Sequence, residues 1–177
     1  MPDSPGVFRP VDLLRVMVES RVAFILIGGL AATVHGSPYA TVDVDVVPQR
    51  DPRNLTRLSD ALRALGARVY VSAEEALPFT HDARSLGEVE VWNLSTTYGA
   101  LDITFTPAGT QGFADLAERA ASVDIGGVEV LVAALEDVVR SKAAAGREKD
   151  LIVLPTLRRL LALQIEERQG RPPQSPA

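Results

Sequence analysis

Apolar residues recur along this chain with two spacings, one typical of helices and one typical of strands. Helical spacing predicts helices over residues 11–20, 29–35, 52–65, 112–121, 135–145 and 148–168. Short apolar or alternating runs predict strands over residues 22–27, 41–47, 68–71, 88–94 and 99–106, and a hairpin over 122–132 that turns at Gly126-Gly127. Residues 72–87 have no firm period and are interpreted as helix or loop. Pro155 marks either a kink or the true start of the last helix.

The composition is that of a single domain with a core of its own. The chain has 177 residues, 46% of them hydrophobic, and no cysteine, which excludes disulfides and thiolate metal sites. The apolar runs are too short to span a bilayer and no signal peptide is evident, so we expect a cytoplasmic protein without a membrane partner. Since the net charge is −5, binding of a nucleic acid would require a local basic patch.

The strand over residues 41–47 carries the most informative pair of side chains, Asp43 and Asp45. Residues i and i+2 of a strand point to the same face, so these carboxylates lie side by side. One interpretation is the solvated face of an edge strand. The other is a buried pair, which needs a cation because burying an uncompensated carboxylate costs several kcal/mol. A hard divalent ion with oxygen ligands, usually Mg²⁺ beside phosphates, meets that need.

A glycine pair, Gly28-Gly29, lies between the first strand and the short helix that follows. It is interpreted either as a tight turn or as a phosphate site, because the first N–H groups of a helix are free to bind an anion. Asp102 is a further candidate, on the polar face of the strand over residues 99–106. Taken alone, Asp102 is more typical of a solvent-facing aspartate, and Glu90 on the preceding strand is its nearest competitor.

Two segments of the chain resemble one family. They read Gly28-Gly29, a helix and His35-Gly-Ser-Pro-x-Ala-Thr-x-Asp-x-Asp45, and then Ser141-Lys-x-x-Ala-Gly-Arg-x-Lys-Asp150. Together they resemble the minimal nucleotidyltransferases of the polymerase-β-like superfamily, and most closely the AbiEii/AbiGii type of toxin nucleotidyltransferase. The matching region runs over residues 22–163. The family often has Arg where this chain has Tyr39, and the Gly-Ser pair of the superfamily is Gly28-Gly29 here.

The resemblance implies an α+β, α/β-like nucleotidyltransferase fold: a mixed twisted sheet flanked by helices, with a C-terminal helical segment. The expected boundaries are a disordered N-terminus over residues 1–9, a core over 10–133, packed helices over 134–169 and a disordered tail over 170–177. It also implies transfer of a nucleoside monophosphate (NMP) from a nucleoside triphosphate (NTP) to a hydroxyl, with release of pyrophosphate. Asp43, Asp45 and Asp102 are then the ligands of Mg²⁺, or of Mn²⁺, and Asp102 is the one nearer the acceptor.

The same resemblance assigns residues to the nucleotide. Gly28, Gly29, Ser37 and Thr41 are expected around the β- and γ-phosphates, and Lys142 is expected to contact the triphosphate. Asp150 is implied as a structural or catalytic anchor that positions Lys142 or Arg147. The alternative from the residues alone is a solvated lysine, together with helix capping and local ion pairs worth under about 1 kcal/mol.

The identity of the acceptor stays open at this stage. One hypothesis is a toxin-like enzyme that acts on a tRNA 3′ end and has a cognate antitoxin as partner. The basic residues that favour RNA are Arg140, Lys142, Arg147, Lys149, Arg158 and Arg159. Other hypotheses are modification of a small molecule or a protein, and a catalytically silent, antitoxin-like module that binds a nucleotide or a partner.

Overall fold

A mixed β-sheet organises the molecule in the computed structural model, which describes residues 7–72 and 75–170. Within these residues the sheet has eight strands in the order β4-β3-β5-β6-β2-β1-β8-β7. The strands are β1 (Phe24–Ile27), β2 (Asp43–Pro48), β3 (Arg68–Tyr70), β4 (Ala76–Pro78), β5 (Val91–Thr96), β6 (Gly99–Thr104), β7 (Ala121–Asp124) and β8 (Glu129–Val132). The described part of the chain has seven helices, α1 (Pro10–Glu19), α2 (Gly28–Val34), α3 (Pro52–Ala64), α4 (Ala83–Gly87), α5 (Phe113–Ala117), α6 (Leu135–Ala145) and α7 (Glu148–Gly170). The expected mixed α+β fold is confirmed.

The centre of the sheet is formed by β1, β2 and β6. Strand β2 runs antiparallel to β1 and parallel to β6. Along β2, Val44 and Val46 are fully buried, whereas Asp43 and Asp45 on the opposite face are half-buried. This alternation is that of a strand with one face on the core and one face toward a polar cavity.

The last two helices pack against each other and α6 packs against α2. Gly146 ends α6 with a positive φ of 61°, a conformation that favours glycine and turns the chain into α7. Helix α7 begins at Glu148, and Pro155 lies inside it, so Pro155 is not the start of the helix. Among the described residues, no helix has both the length and the apolar character required to cross a membrane.

Two local differences from the sequence prediction concern the edge that contains β4 and β5. Strand β4 has three residues, too few for a recognisable period, and lies in the segment that we interpreted as helix or loop. Strand β5 begins at Val91, later than the predicted residue 88. Trp92 is half-buried and packs on Phe79, with ring centroids 4.9 Å apart, while Val91 is exposed.

The termini that we expected to be disordered lie mostly outside the described residues, which exclude 1–6 and 171–177. At the N-terminal side, the backbone N–H of Arg9 donates to the carbonyl of Tyr98 at 2.9 Å. Phe8 packs against Gly99 in the same turn. Residues 8 and 9 therefore contact the turn that joins β5 to β6.

A buried amide connects α3 to the first two strands. Asn54 Oδ1 accepts from the N–H of Ala23 at 2.7 Å, and its Nδ2 donates to the carbonyls of Ala23 and Gln49, both at 2.8 Å. We expect Asn54→Ala to lower the free energy of unfolding by about 2–4 kcal/mol, because it leaves buried backbone groups without partners. Chemical denaturation measures this, with Arg53→Ala on the exposed side of α3 as the control. A loss below about 1 kcal/mol for Asn54→Ala would contradict the role assigned to the amide.

Candidate active site

Three carboxylates converge where β2 and β6 run side by side. The parallel register places Asp45 opposite Asp102, and Asp43 lies two residues earlier on β2. One carboxylate oxygen from each of Asp43, Asp45 and Asp102 lies within 4.8 Å of the others. The three side chains are half-buried and line a cleft of about 520 Å³.

The carboxyl group of Asp45 has a strongly raised pKa. Burial first, then the charges of Asp43 and Asp102, raise its pKa from 3.8 to about 7, against the lowering effects of Lys142 and of a hydrogen bond with the Gly29 backbone. Burial and Asp43 also raise the pKa of Asp102, while Lys149 and Arg147 lower it. Burial together with mutual repulsion therefore disfavours the fully ionised cluster.

The glycine pair fits tightly around these side chains. A Cβ at Gly28, whose φ is +73°, would overlap Asp45 Oδ2. A Cβ built on Gly29 would lie 2.6 Å from Thr41 Oγ1, and Thr41 Oγ1 itself donates to Asp43 Oδ1 at 2.6 Å. The side chain of Thr41 thus occupies the space that a larger residue at position 29 would need, which explains a glycine there.

Three charged residues of the α6–α7 corner form a network at the wall of the cleft. Asp150 is completely buried, and its carboxylate accepts from Lys142 Nζ at 2.9 Å and from Arg147 Nε at 2.6 Å. These contacts lower the pKa of Asp150 against the opposing effect of burial. Lys142 and Arg147 both line the cleft, so Asp150 fixes the position of two cations that face the aspartates.

The predicted nucleotide residues also lie around this cleft. Gly28, Gly29, Thr41 and the buried Ser37 all contribute to its lining. Tyr39, where the family often has Arg, lines it too, and its hydroxyl lies 3.5 Å from Thr156 Oγ1 on α7. All the predicted catalytic, metal-binding and nucleotide-binding residues except the buried Asp150 thus line one cleft.

Sequence reasoning did not assign two residues that line the cleft, and it treated Glu90 as a competitor of Asp102. Asn93 on β5 is in register with Asp102, and Thr104 follows Asp102 on the same face. Strand alternation could have identified both. Glu90, the competitor of Asp102, forms an ion pair with Arg50 at 2.6 Å and is not part of the cluster.

Only some of the basic residues expected to favour RNA are exposed and so able to contact it. Arg140 contacts Asp115 and Asp137, both at 2.8 Å, in a network that joins α5 to α6. The side chain of Lys142 is only 14% exposed and is paired with Asp150. Arg147, Lys149, Arg158 and Arg159 are the exposed members of the set.

The donor set fits a divalent metal ion. All three groups are carboxylates, the ligands that hard cations such as Mg²⁺ and Mn²⁺ prefer. Burial and the charges of Asp43 and Asp102 disfavour the ionised form of Asp45, and a bound cation would favour it. The residues present are therefore chemically suited to hold the ion that the fold family implies.

A family model matches most of the chain. The model, described as a nucleotidyltransferase of unknown function (DUF6036), matches residues 7–156. A search of curated proteins finds no match. The narrower likeness to the AbiEii/AbiGii type stays a prediction.

Several solved structures share the fold at low sequence identity. The lincosamide antibiotic adenylyltransferase LnuA, solved with lincomycin, is 15% identical with a TM-score of 0.57, covering 88% of this chain and 99% of LnuA. TM1012 of Thermotoga maritima, assigned as a nucleotidyltransferase, is 17% identical with a TM-score of 0.53, covering 89% of this chain and 96% of its own. The enzyme ANT(2″)-Ia, solved with adenylyl-2″-tobramycin, is 14% identical with a TM-score of 0.53, covering 90% and 95%. These similarities establish a shared fold.

We expect Asp45→Asn to stabilise the metal-free protein at neutral pH. The raised pKa means that the proton on Asp45 stabilises the folded state, and this contribution is lost as the pH rises from about 4 through about 7. The advantage of the Asn variant over the wild type should therefore grow by about 2–3 kcal/mol between pH 5 and pH 8.

Denaturation in EDTA at both pH values measures this difference, with Glu19→Gln on the exposed side of α1 as the control. Mg²⁺ at pH 8 should raise the melting temperature of the wild type more than that of Asp45→Asn. A variant that is less stable than the wild type at pH 8 in EDTA would contradict the electrostatic description of the cluster.

Proposed function

Since the chain belongs to the DUF6036 family of nucleotidyltransferases, we propose that it transfers a nucleoside monophosphate from an NTP to an acceptor hydroxyl. The convergence of three carboxylates in one cleft is the observation that carries this proposal. A silent, antitoxin-like module would have no need of this costly arrangement. The energetic cost of this cluster therefore favours an active enzyme over a binding module.

The nucleotide is proposed to bind with its triphosphate between the glycine pair and α6. Gly28 and Gly29 line the cleft and let the chain pass close to the side chains of Asp45 and Thr41, and Ser37 and Thr41 line the cleft as well. Lys142 faces the aspartates from the opposite wall, where Asp150 holds it. Its charge would offset that of the β- and γ-phosphates.

The aspartates are proposed to hold Mg²⁺, or Mn²⁺ in its place. When bound, such ions neutralise phosphate charge and orient the attacking and leaving oxygens for in-line displacement. The acceptor oxygen forms a bond to the α-phosphorus, the bond from the α-phosphorus to the bridging oxygen of the β-phosphate breaks, and pyrophosphate leaves. Asp102, whose pKa is raised, is proposed to receive the proton of the acceptor hydroxyl.

For the acceptor, we propose the 3′ end of an RNA such as tRNA, in a toxin-like reaction that a cognate antitoxin would restrain. Arg147 and Lys149 lie at the cleft, and the exposed Arg158 and Arg159 lie further along α7. Cations placed in this way suit the phosphates of a nucleic acid backbone. A cytoplasmic location fits the same proposal.

A small-molecule acceptor is the second candidate. It is favoured by the shared fold with two antibiotic-modifying adenylyltransferases, LnuA and ANT(2″)-Ia. The two candidates predict different labelled products.

We expect Asp43→Asn and Asp102→Asn to reduce NMP transfer at least about a hundredfold, because each removes a charged ligand of the proposed metal site. Radiolabelled NTP and Mg²⁺ with total tRNA provide the assay, and thermal melting confirms that each variant folds. Glu90→Gln, which lies outside the cluster, is the matched control and should keep its activity. Full activity in either aspartate variant would contradict the proposed function.

The acceptor itself is tested by offering the wild type labelled NTP with tRNA, with lincomycin, with tobramycin or with a protein extract. We expect label at the tRNA 3′ end, and growth arrest on expression that Asp43→Asn relieves. Label on an antibiotic alone would instead select the small-molecule candidate. Pyrophosphate release, measured in the same reactions, detects transfer to an acceptor that these four do not include.

A further inference from the structure

The charged side chains around the cleft are unevenly distributed. Among the described residues that line it, the acids are the three clustered aspartates, and the cations are Lys142, Arg147 and Lys149. A metal ion would occupy those aspartates, and no other carboxylate of the described lining remains for an amino group of a substrate. The part of the cleft outside the metal site is therefore electropositive.

Lys149 differs from the other two cations. Lys142 and Arg147 are both held by Asp150, whereas Lys149 has no ion-pair partner among the residues that the structure describes. Its side chain is exposed and lines the cleft, so its charge is free to meet a ligand. A surface lysine without a partner can bind an anion without first breaking an ion pair.

The position of Lys149 points to the acceptor rather than to the triphosphate. The glycine pair directly follows β1, and the strand order β1-β2-β6 places Asp45 on the strand beside it and Asp102 one strand further away. Lys149 lowers the pKa of Asp102. On its other side, Asp102 is in register with Asn93 of β5, a strand that is farther from β1 and its glycines than β2 and β6 are. Lys149 thus lies on the Asp102 side of the cleft.

We propose that Lys149 selects acceptors that carry a phosphate close to the reacting hydroxyl, and that the cleft disfavours polycationic acceptors. This inference rests on the proposed function and adds to it the residue that chooses the acceptor. The cations at Arg147 and Lys149 would attract an acceptor phosphate, and they would repel the ammonium groups of an aminoglycoside. A phosphodiester of a nucleic acid end and the phosphate of a small phosphorylated alcohol share this chemistry.

Matched acceptor pairs test the inference on the full chain. One pair is a dinucleoside monophosphate and the corresponding nucleoside, and the other is glycerol 3-phosphate and glycerol, with tobramycin as the polycation. In one of the two pairs, we expect kcat/KM to be at least about tenfold higher for the phosphorylated member than for the unphosphorylated one. The pair that shows this difference tells whether the phosphate belongs to a nucleic acid end or to a small phosphorylated alcohol. Lys149→Gln should reduce this preference about fivefold or more, and Lys149→Glu should reduce it further.

Two controls separate an effect on the acceptor from an effect on the nucleotide. Affinity for the Mg²⁺–NTP complex should change less in Lys149→Gln than the acceptor preference does, and Arg15→Gln on the exposed side of α1 should behave as the wild type. Transfer without preference for the phosphorylated member, or a preference that Lys149→Gln leaves intact, would overturn this inference alone. Absence of pyrophosphate release and of transfer to every acceptor would overturn the proposed function and this inference with it.

Discussion

Repulsion among three half-buried carboxylates is the constraint on which the rest of this structure depends. Asp43, Asp45 and Asp102 lie so close together that burial and mutual charge raise the pKa of Asp45 to about 7. Such an arrangement lowers the stability of the metal-free fold, and it is maintained by a core of fully buried apolar residues beneath β2 and β6. Clusters of charged side chains that lower the stability of a fold are typical of functional sites, because their charge serves binding or catalysis rather than folding.

The topology of the sheet is what brings the three groups together. Because β2 and β6 are parallel neighbours in register, residues 57 positions apart in the chain, Asp45 and Asp102, become adjacent. The corner between α6 and α7 then closes the cleft from the other side. Its buried Asp150 holds Lys142 and Arg147 toward the aspartates. If this corner were displaced, the negative charge of the three aspartates would lose the two cations that partly offset it.

Much of this arrangement could be predicted from local patterns. The alternation of Asp43-Val-Asp45 predicted a shared face, and the glycine pair predicted a sharp turn after β1. The positions of Asp102 and Lys142 relative to them were supplied by the resemblance to a family, because pairing between distant strands leaves no local signal. The pairing of β4 and the ion pair that removes Glu90 from the cluster also depend on tertiary contacts, and so they appeared only in the structure.

The most direct test of the central claim is a crystal structure of the protein grown with Mn²⁺ and a non-hydrolysable NTP, with anomalous scattering recorded to locate the metal. We expect a manganese peak coordinated by Asp43, Asp45 and Asp102, with the triphosphate against Gly28 and Gly29. A nucleotide bound elsewhere, or no manganese peak at the three aspartates, would contradict the assignment of this cluster as the catalytic metal site.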